Sequence, residues 1–133
     1  MHHKIAISGR FRAEAHINLN YNRFLFYALK MTAHSKLIIA LAQINPIVGD
    51  VAGNAQKILS WSAKALQEYA ADIVVFPELA LTGYPPEDLL FRQQFIQQVE
   101  TAIETIRLEN PGLCILFGAP IRDQDGLYNC AVY

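Results

Sequence analysis

The stretch that decides the fold is Asp72-Ile73-Val74-Val75-Phe76-Pro77-Glu78. Its apolar run, Ile73 to Phe76, is mostly β-branched and reads as a strand covered on both faces. Pro77 has no N–H to offer a ladder, so the strand ends there. The next segment, Leu79–Pro86 (LALTGYPP), is rich in turn formers and reads as a loop. One carboxylate, Glu78, therefore stands where a buried strand gives way to a loop.

The same alternation extends in both directions. Leu37–Ile44 (LIIALAQI) is continuously apolar and predicts another strand buried on both faces. Asn45, Pro46, Gly49 and Asp50 punctuate a loop. Asn54 is the expected N-cap of a helix reaching to about Ala71. Ile58, Leu59, Ser62, Ala65, Leu66 and Tyr69 form its apolar stripe. Downstream, Phe91–Arg107 carries a cleaner stripe of Phe91, Phe95, Ile96, Val99, Ala102, Ile103 and Ile106. Asn110-Pro111-Gly112 stops that helix. Cys114–Ile121 reads as a third strand, Arg122–Gly126 as a hairpin turn with Asp125-Gly126 at its tip, and Leu127–Tyr133 as a fourth strand. The order β-α-β-α-β-β predicts an α/β fold with a largely buried sheet.

Composition bounds the function. The chain has 133 residues, 53% hydrophobic and 17% charged, with net charge −1. That supports one small domain and is too little for two. Mean hydropathy of +0.18 excludes a chain disordered throughout. Bulk charge gives no sign of nucleic-acid or membrane binding. No apolar run approaches the roughly 18 residues of a membrane span.

Charge is unevenly spread. Residues 1–36 hold six basic residues against one acid, and residues 37–133 hold five against eleven. A basic, disordered extension over residues 1–35 is expected, followed by a folded unit over 36–133. Within the extension, Phe24–Leu29 is too short for a secretory core. Residues 1–30 read as an upstream translated extension before a start at Met31; the alternative is a weakly transit-peptide-like segment, Arg-bearing and acid-poor. Cys114 and Cys130 form no CxxC pair and have no histidine near them, so no metal site is expected. They read as two buried thiols in a reducing cytosol, which places the protein in the cytoplasm. Neither GxGxxG nor GxxxxGK[ST] is present.

Glu78 is the first candidate for chemistry. The carboxyl ends of strands are where α/β sheets build their sites. Partial desolvation after Ile-Val-Val-Phe-Pro suits a carboxylate to general-base work. The bland alternatives are a loop cap or a pair with a surface base. Tyr84 is the second candidate, with a packed loop aromatic as its alternative. Glu87 and Asp88 read as first-turn helix acids.

The segment Phe76–Leu90 (FPELALTGYPPEDLL) resembles the first catalytic motif of the carbon–nitrogen hydrolase (nitrilase) superfamily. Its Pro85-Pro86-Glu87-Asp88-Leu89-Leu90 string is similar to the amidase domain of the glutamine-dependent NAD⁺ synthetase family. Ala40–Pro46, Val48-Gly49-Asp50 and Gly53-Asn54 resemble that family's opening strand and loop. Phe117-Gly118-Ala119-Pro120 with Tyr128-Asn129-Cys130-Ala131 resembles its third-strand region. The resemblance covers about Lys36 to Tyr133.

The resemblance implies the amino-terminal part of a four-layer α-β-β-α sandwich. It also implies a Glu-Lys-Cys triad that hydrolyses L-glutamine to ammonia. Glu78 matches the general base, and Tyr84 matches a tyrosine lining the glutamine pocket. The family's lysine and cysteine lie further along than Tyr133. No lysine follows Lys64, and neither Cys114 nor Cys130 sits on the turn a nucleophile needs. The expectation is a fragment inactive alone, with no cofactor of its own. In the family, ATP and Mg²⁺ serve a separate synthetase domain that amidates nicotinic acid adenine dinucleotide, and full-length members are oligomeric. The alternatives are a fragment of another carbon–nitrogen hydrolase (an aliphatic amidase or carbamoylase) or a non-catalytic remnant. Apolar surface meant for layers this chain does not contain should then be exposed.

Overall fold

A computed structural model of the chain describes residues 36–133. The readings of residues 1–35, a disordered basic extension and a start at Met31, lie outside the described residues. Ile38–Tyr133 belong to one compact unit. Its elements are β1 (Ile39–Leu41), α1 (Val51–Tyr69), β2 (Ile73–Val75), a 3₁₀ turn (Glu87–Phe91), α2 (Gln93–Glu109), β3 (Cys114–Arg122) and β4 (Leu127–Val132). The order is the expected β-α-β-α-β-β, in a mixed α/β fold.

The four strands form one sheet in chain order, β1-β2-β3-β4. The first three run parallel, with Ile39 beside Ile73 and Ile73 beside Cys114. Parallel neighbours need long crossovers, and α1 and α2 supply them. β4 returns antiparallel, Arg122 opposite Leu127 and Pro120 opposite Asn129. The turn between them closes on Asp123. Its carboxylate accepts the Asp125 and Gly126 N–H groups at 2.8 and 3.0 Å, and its own N–H donates to the Gly126 carbonyl at 2.9 Å.

Both helices share one core with one face of the sheet. Val74, Ile115, Phe117 and Ala119 are buried with Ile58 and Ala65 of α1 and Val99 and Ile106 of α2. Burying each of the larger side chains is worth about 1.5–3 kcal/mol. The opposite face carries no covering element among the described residues. Ile39 is 51% exposed and Leu41 80%, so β1 is not the doubly buried strand its apolar run suggests. Cys114 on that face is exposed and Cys130 half-buried, not the two buried thiols expected. An apolar run records what a strand is made for, not whether the covering layer lies within the same residues. What is described is one helix layer packed on one sheet layer.

The helix ends differ from the reading in detail. Asp50, not Asn54, caps α1, its carboxylate accepting the Gly53 N–H at 3.0 Å. Ala70 ends α1 at φ +49°, and its N–H donates to the Leu66 carbonyl at 3.1 Å. The second helix begins at Gln93 rather than Phe91, because Glu87 to Phe91 wind first as the 3₁₀ turn. Glu87 and Asp88 fill the first turn of that segment, as expected of helix acids.

Candidate active site

Glu78 is presented by a backbone with little freedom. The Phe76 N–H donates to the Leu116 carbonyl at 2.8 Å, which carries the ladder one residue past Val75. Pro77 cannot continue it. β3 then crosses close behind through Gly118. The Gly118 N–H donates to the Pro77 carbonyl, and its carbonyl accepts the Leu81 N–H, both at 3.3 Å. A Cβ on residue 118 would lie 2.3 Å from the Leu79 nitrogen and 2.8 Å from the Glu78 Cα. Glycine is therefore the residue that lets β3 brace this turn. Leu79 itself is buried and held at φ +48°, a left-handed conformation that costs a side chain of its bulk about 1–3 kcal/mol. The strained residue is the one directly after Glu78.

The rest of the loop is tied to the loop after β1. The Gly49 N–H donates to the Thr82 carbonyl at 2.9 Å. Gly83 sits at φ +74°, and a Cβ there would lie 2.6 Å from the Val48 Cα. This is the side-chain-free conformation expected of Gly83. Asn54, itself fully buried in the first turn of α1, joins the two loops. Its oxygen accepts the Ile47 N–H at 2.9 Å, and its amide donates to the Ile47 and Leu81 carbonyls at 2.8 and 3.2 Å.

Among the described residues the Glu78 side chain has one hydrogen-bond partner. The Asn129 Nδ2–H of β4 donates to Oε1 at 2.5 Å. Among the described residues no ion pair engages Glu78, so the surface-base reading finds no support. Glu78 is exposed rather than partly desolvated, since nothing described covers the sheet face beside it. Tyr84 is 69% exposed, which removes the packed-aromatic reading. It follows Gly83 on the loop, and its bond to Pro85 is cis. No hydrogen bond joins Tyr84 to Glu78. A carboxylate held through one oxygen, with the other open, is able to take a proton from a group brought against it.

Other features lie elsewhere. A cavity of about 740 Å³ between the helices is lined by Asp50, Gln94, Gln97 and Thr101 among others, and a second of about 340 Å³ by Ala40, Trp61 and Tyr69 among others; neither includes Glu78 or Tyr84. Among the described residues no cluster of His, Cys, Asp or Glu could hold a metal ion. No helix among them is long and apolar enough to cross a membrane. Burial and the nearby Asp123 carboxylate push the Cys130 thiol up, away from the thiolate a nucleophile needs.

Three contributors carried no such role in the sequence reading. Gly118 had a usable signal, since a glycine inside a strand marks a close backbone approach. Asn54 was legible only as a cap. Asn129 is 51 residues from Glu78 along the chain, and only the hairpin register brings them together.

A family model described as carbon-nitrogen hydrolase matches residues 38–133. The chain belongs to the carbon–nitrogen hydrolase family. Within that family its relatives include the glutamine-dependent NAD(+) synthetase of Xylella fastidiosa, 45% identical over 95 residues. The match covers 71% of this chain and 17% of that protein, so the chain spans about a sixth of the relative's length. Among solved structures, the glutamine-dependent NAD⁺ synthetase of Acinetobacter baumannii superimposes with a TM-score of 0.64 at 35% identity, covering 70% of this chain and 18% of that one. An amidase from Nesterenkonia sp., 26% identical, gives 0.58 over 65% of this chain and 33% of its own. These carbon–nitrogen hydrolase neighbours agree with the mixed α/β architecture.

Proposed function

We propose that residues 36–133 form the amino-terminal part of a glutamine amidase domain, in which Glu78 is the general base. The observation that carries the reading is the placing of Glu78. It stands just past the end of β2 on a braced, strained turn, with one carboxylate oxygen anchored and the other open among the described residues. In the proposed reaction Glu78 takes the proton of a cysteine thiol, and the thiolate attacks the side-chain amide carbon of L-glutamine. A lysine stabilises the charge of the tetrahedral intermediate. Ammonia leaves, and water releases glutamate from the thioester. Tyr84, exposed beside this turn, would line the glutamine pocket.

The lysine and the nucleophile are not among these residues, so the 133-residue chain alone is expected to release no ammonia from glutamine. A synthetase domain using ATP and Mg²⁺ would consume the ammonia, in an oligomer and in the cytoplasm. Similarity to synthetases at 45% identity supports glutamine as substrate over the aliphatic amides or carbamoyl compounds of other family members.

The test is a graft. Residues 38–133 replace their counterpart in the Xylella fastidiosa synthetase. Glutamine-dependent ammonia release within about tenfold of the parent is expected. A graft that still makes NAD⁺ from added ammonia but ignores glutamine would contradict the reading.

A further inference from the structure

We propose that Asn129 is a positioning residue for Glu78: its side-chain amide holds one carboxylate oxygen and leaves the other to take the proton. The proposal rests on the reading of Glu78 as a base. The turn fixes the Glu78 backbone through Gly118 and Leu79, but backbone alone does not fix a carboxylate. An exposed glutamate side chain is free to sample several rotamers. Among the described residues the Asn129 Nδ2–H is the group that constrains it.

Asn129 is well placed for this. β4 pairs with β3 along its whole length, so its register is fixed. Asn129 faces Pro120, and Gly118 is two residues back along β3 on the same face. The strand that makes room for the Glu78 turn therefore also sets the position of the amide that orients its side chain. The chemistry of the donor is suited to the task. A lysine or arginine here would compete with the proton for the carboxylate. A neutral amide orients the carboxylate without that competition and is shaped to offer an N–H to one oxygen.

The test uses the full 133-residue chain, isotopically labelled. Three-bond couplings of the Glu78 side chain report its rotamer population, and melting reports the fold. In the parent chain the couplings should correspond to one staggered rotamer. In Asn129→Leu, similar in shape without the donor, they should fall to averaged values while the melting temperature holds. Asn129→Asp keeps the shape and polarity and sets a like charge against Glu78; its couplings should move too, and it serves as the readout if the leucine variant does not fold. Averaged couplings in the parent chain, or couplings unchanged in the folded variants, would overturn the proposal. In the synthetase graft, Asn129→Leu should lower kcat about tenfold with KM unchanged. An unchanged kcat would also overturn it. Failure of the base reading shows separately: Glu78→Gln would then keep its activity whatever the couplings do.

Discussion

At the scale of single residues, the site is organised by what is missing as much as by what is present. Gly118 has no side chain, and the Glu78 turn occupies the space a Cβ would take. Gly118→Ala should therefore displace the turn and lower stability by about 1–3 kcal/mol, read by urea unfolding. A variant as stable as the parent would mean that β3 does not brace the turn. The two cysteines make a second residue-scale contrast. Cys114 is exposed, while burial and Asp123 raise the Cys130 thiol above its ordinary value. A raised thiol holds less thiolate at a given pH, and the thiolate is the reactive form. Iodoacetamide at pH 8 should label Cys114 first. Labelling of Cys130 should lag and need more alkaline solution than an ordinary thiol. Equal rates would contradict the placement of Cys130 beside Asp123.

At the scale of elements, α1 ends on a compromise. Ala70 adopts φ +49°, where glycine is at ease and a Cβ is crowded. Ala70→Gly should stabilise the unit by about 1 kcal/mol, raising its melting temperature by about 4–8 °C for a unit of this size. A lower melting temperature would show that the αL cap is not the strained point. The elements also show what the residues made legible in advance. The stripe from Phe95 to Ile106 announced α2, because a period of 3.6 with a wet opposite face has one good solution. Asp125-Gly126 announced the hairpin in the same way. Caps were less legible, since Asp50 and Asn54 are both good cap residues four apart. Only the packing sends Asn54 inward, to the Ile47 and Leu81 backbone. The Glu78–Asn129 contact was invisible because it depends on three strands being in register. Glu78 itself was legible from its motif and from its place after an apolar strand.

For the whole molecule, the main feature is an asymmetric sheet. Among the described residues one face is covered by α1 and α2, and the other shows Ile39 and Leu41 with half-buried Ile73, Val75 and Leu116. The high apolar content is therefore divided, among the described residues, between a core and an open face. Open apolar surface on an edge strand promotes association. Sedimentation velocity of the 133-residue chain should show self-association that grows with concentration. Leu41→Lys should reduce it with little change in melting temperature, since that side chain is 80% exposed. A parent chain that stays monomeric at high concentration would contradict the open face.

The central claim is that Glu78 takes the proton. The most direct measurement is kcat for glutamine hydrolysis in the synthetase graft carrying Glu78→Gln, beside NAD⁺ formation from added ammonia as a control for folding. Loss of a general base predicts a fall in kcat of about 10²–10⁴-fold, with the ammonia-driven reaction unchanged. A kcat within threefold of the unmutated graft would contradict the account.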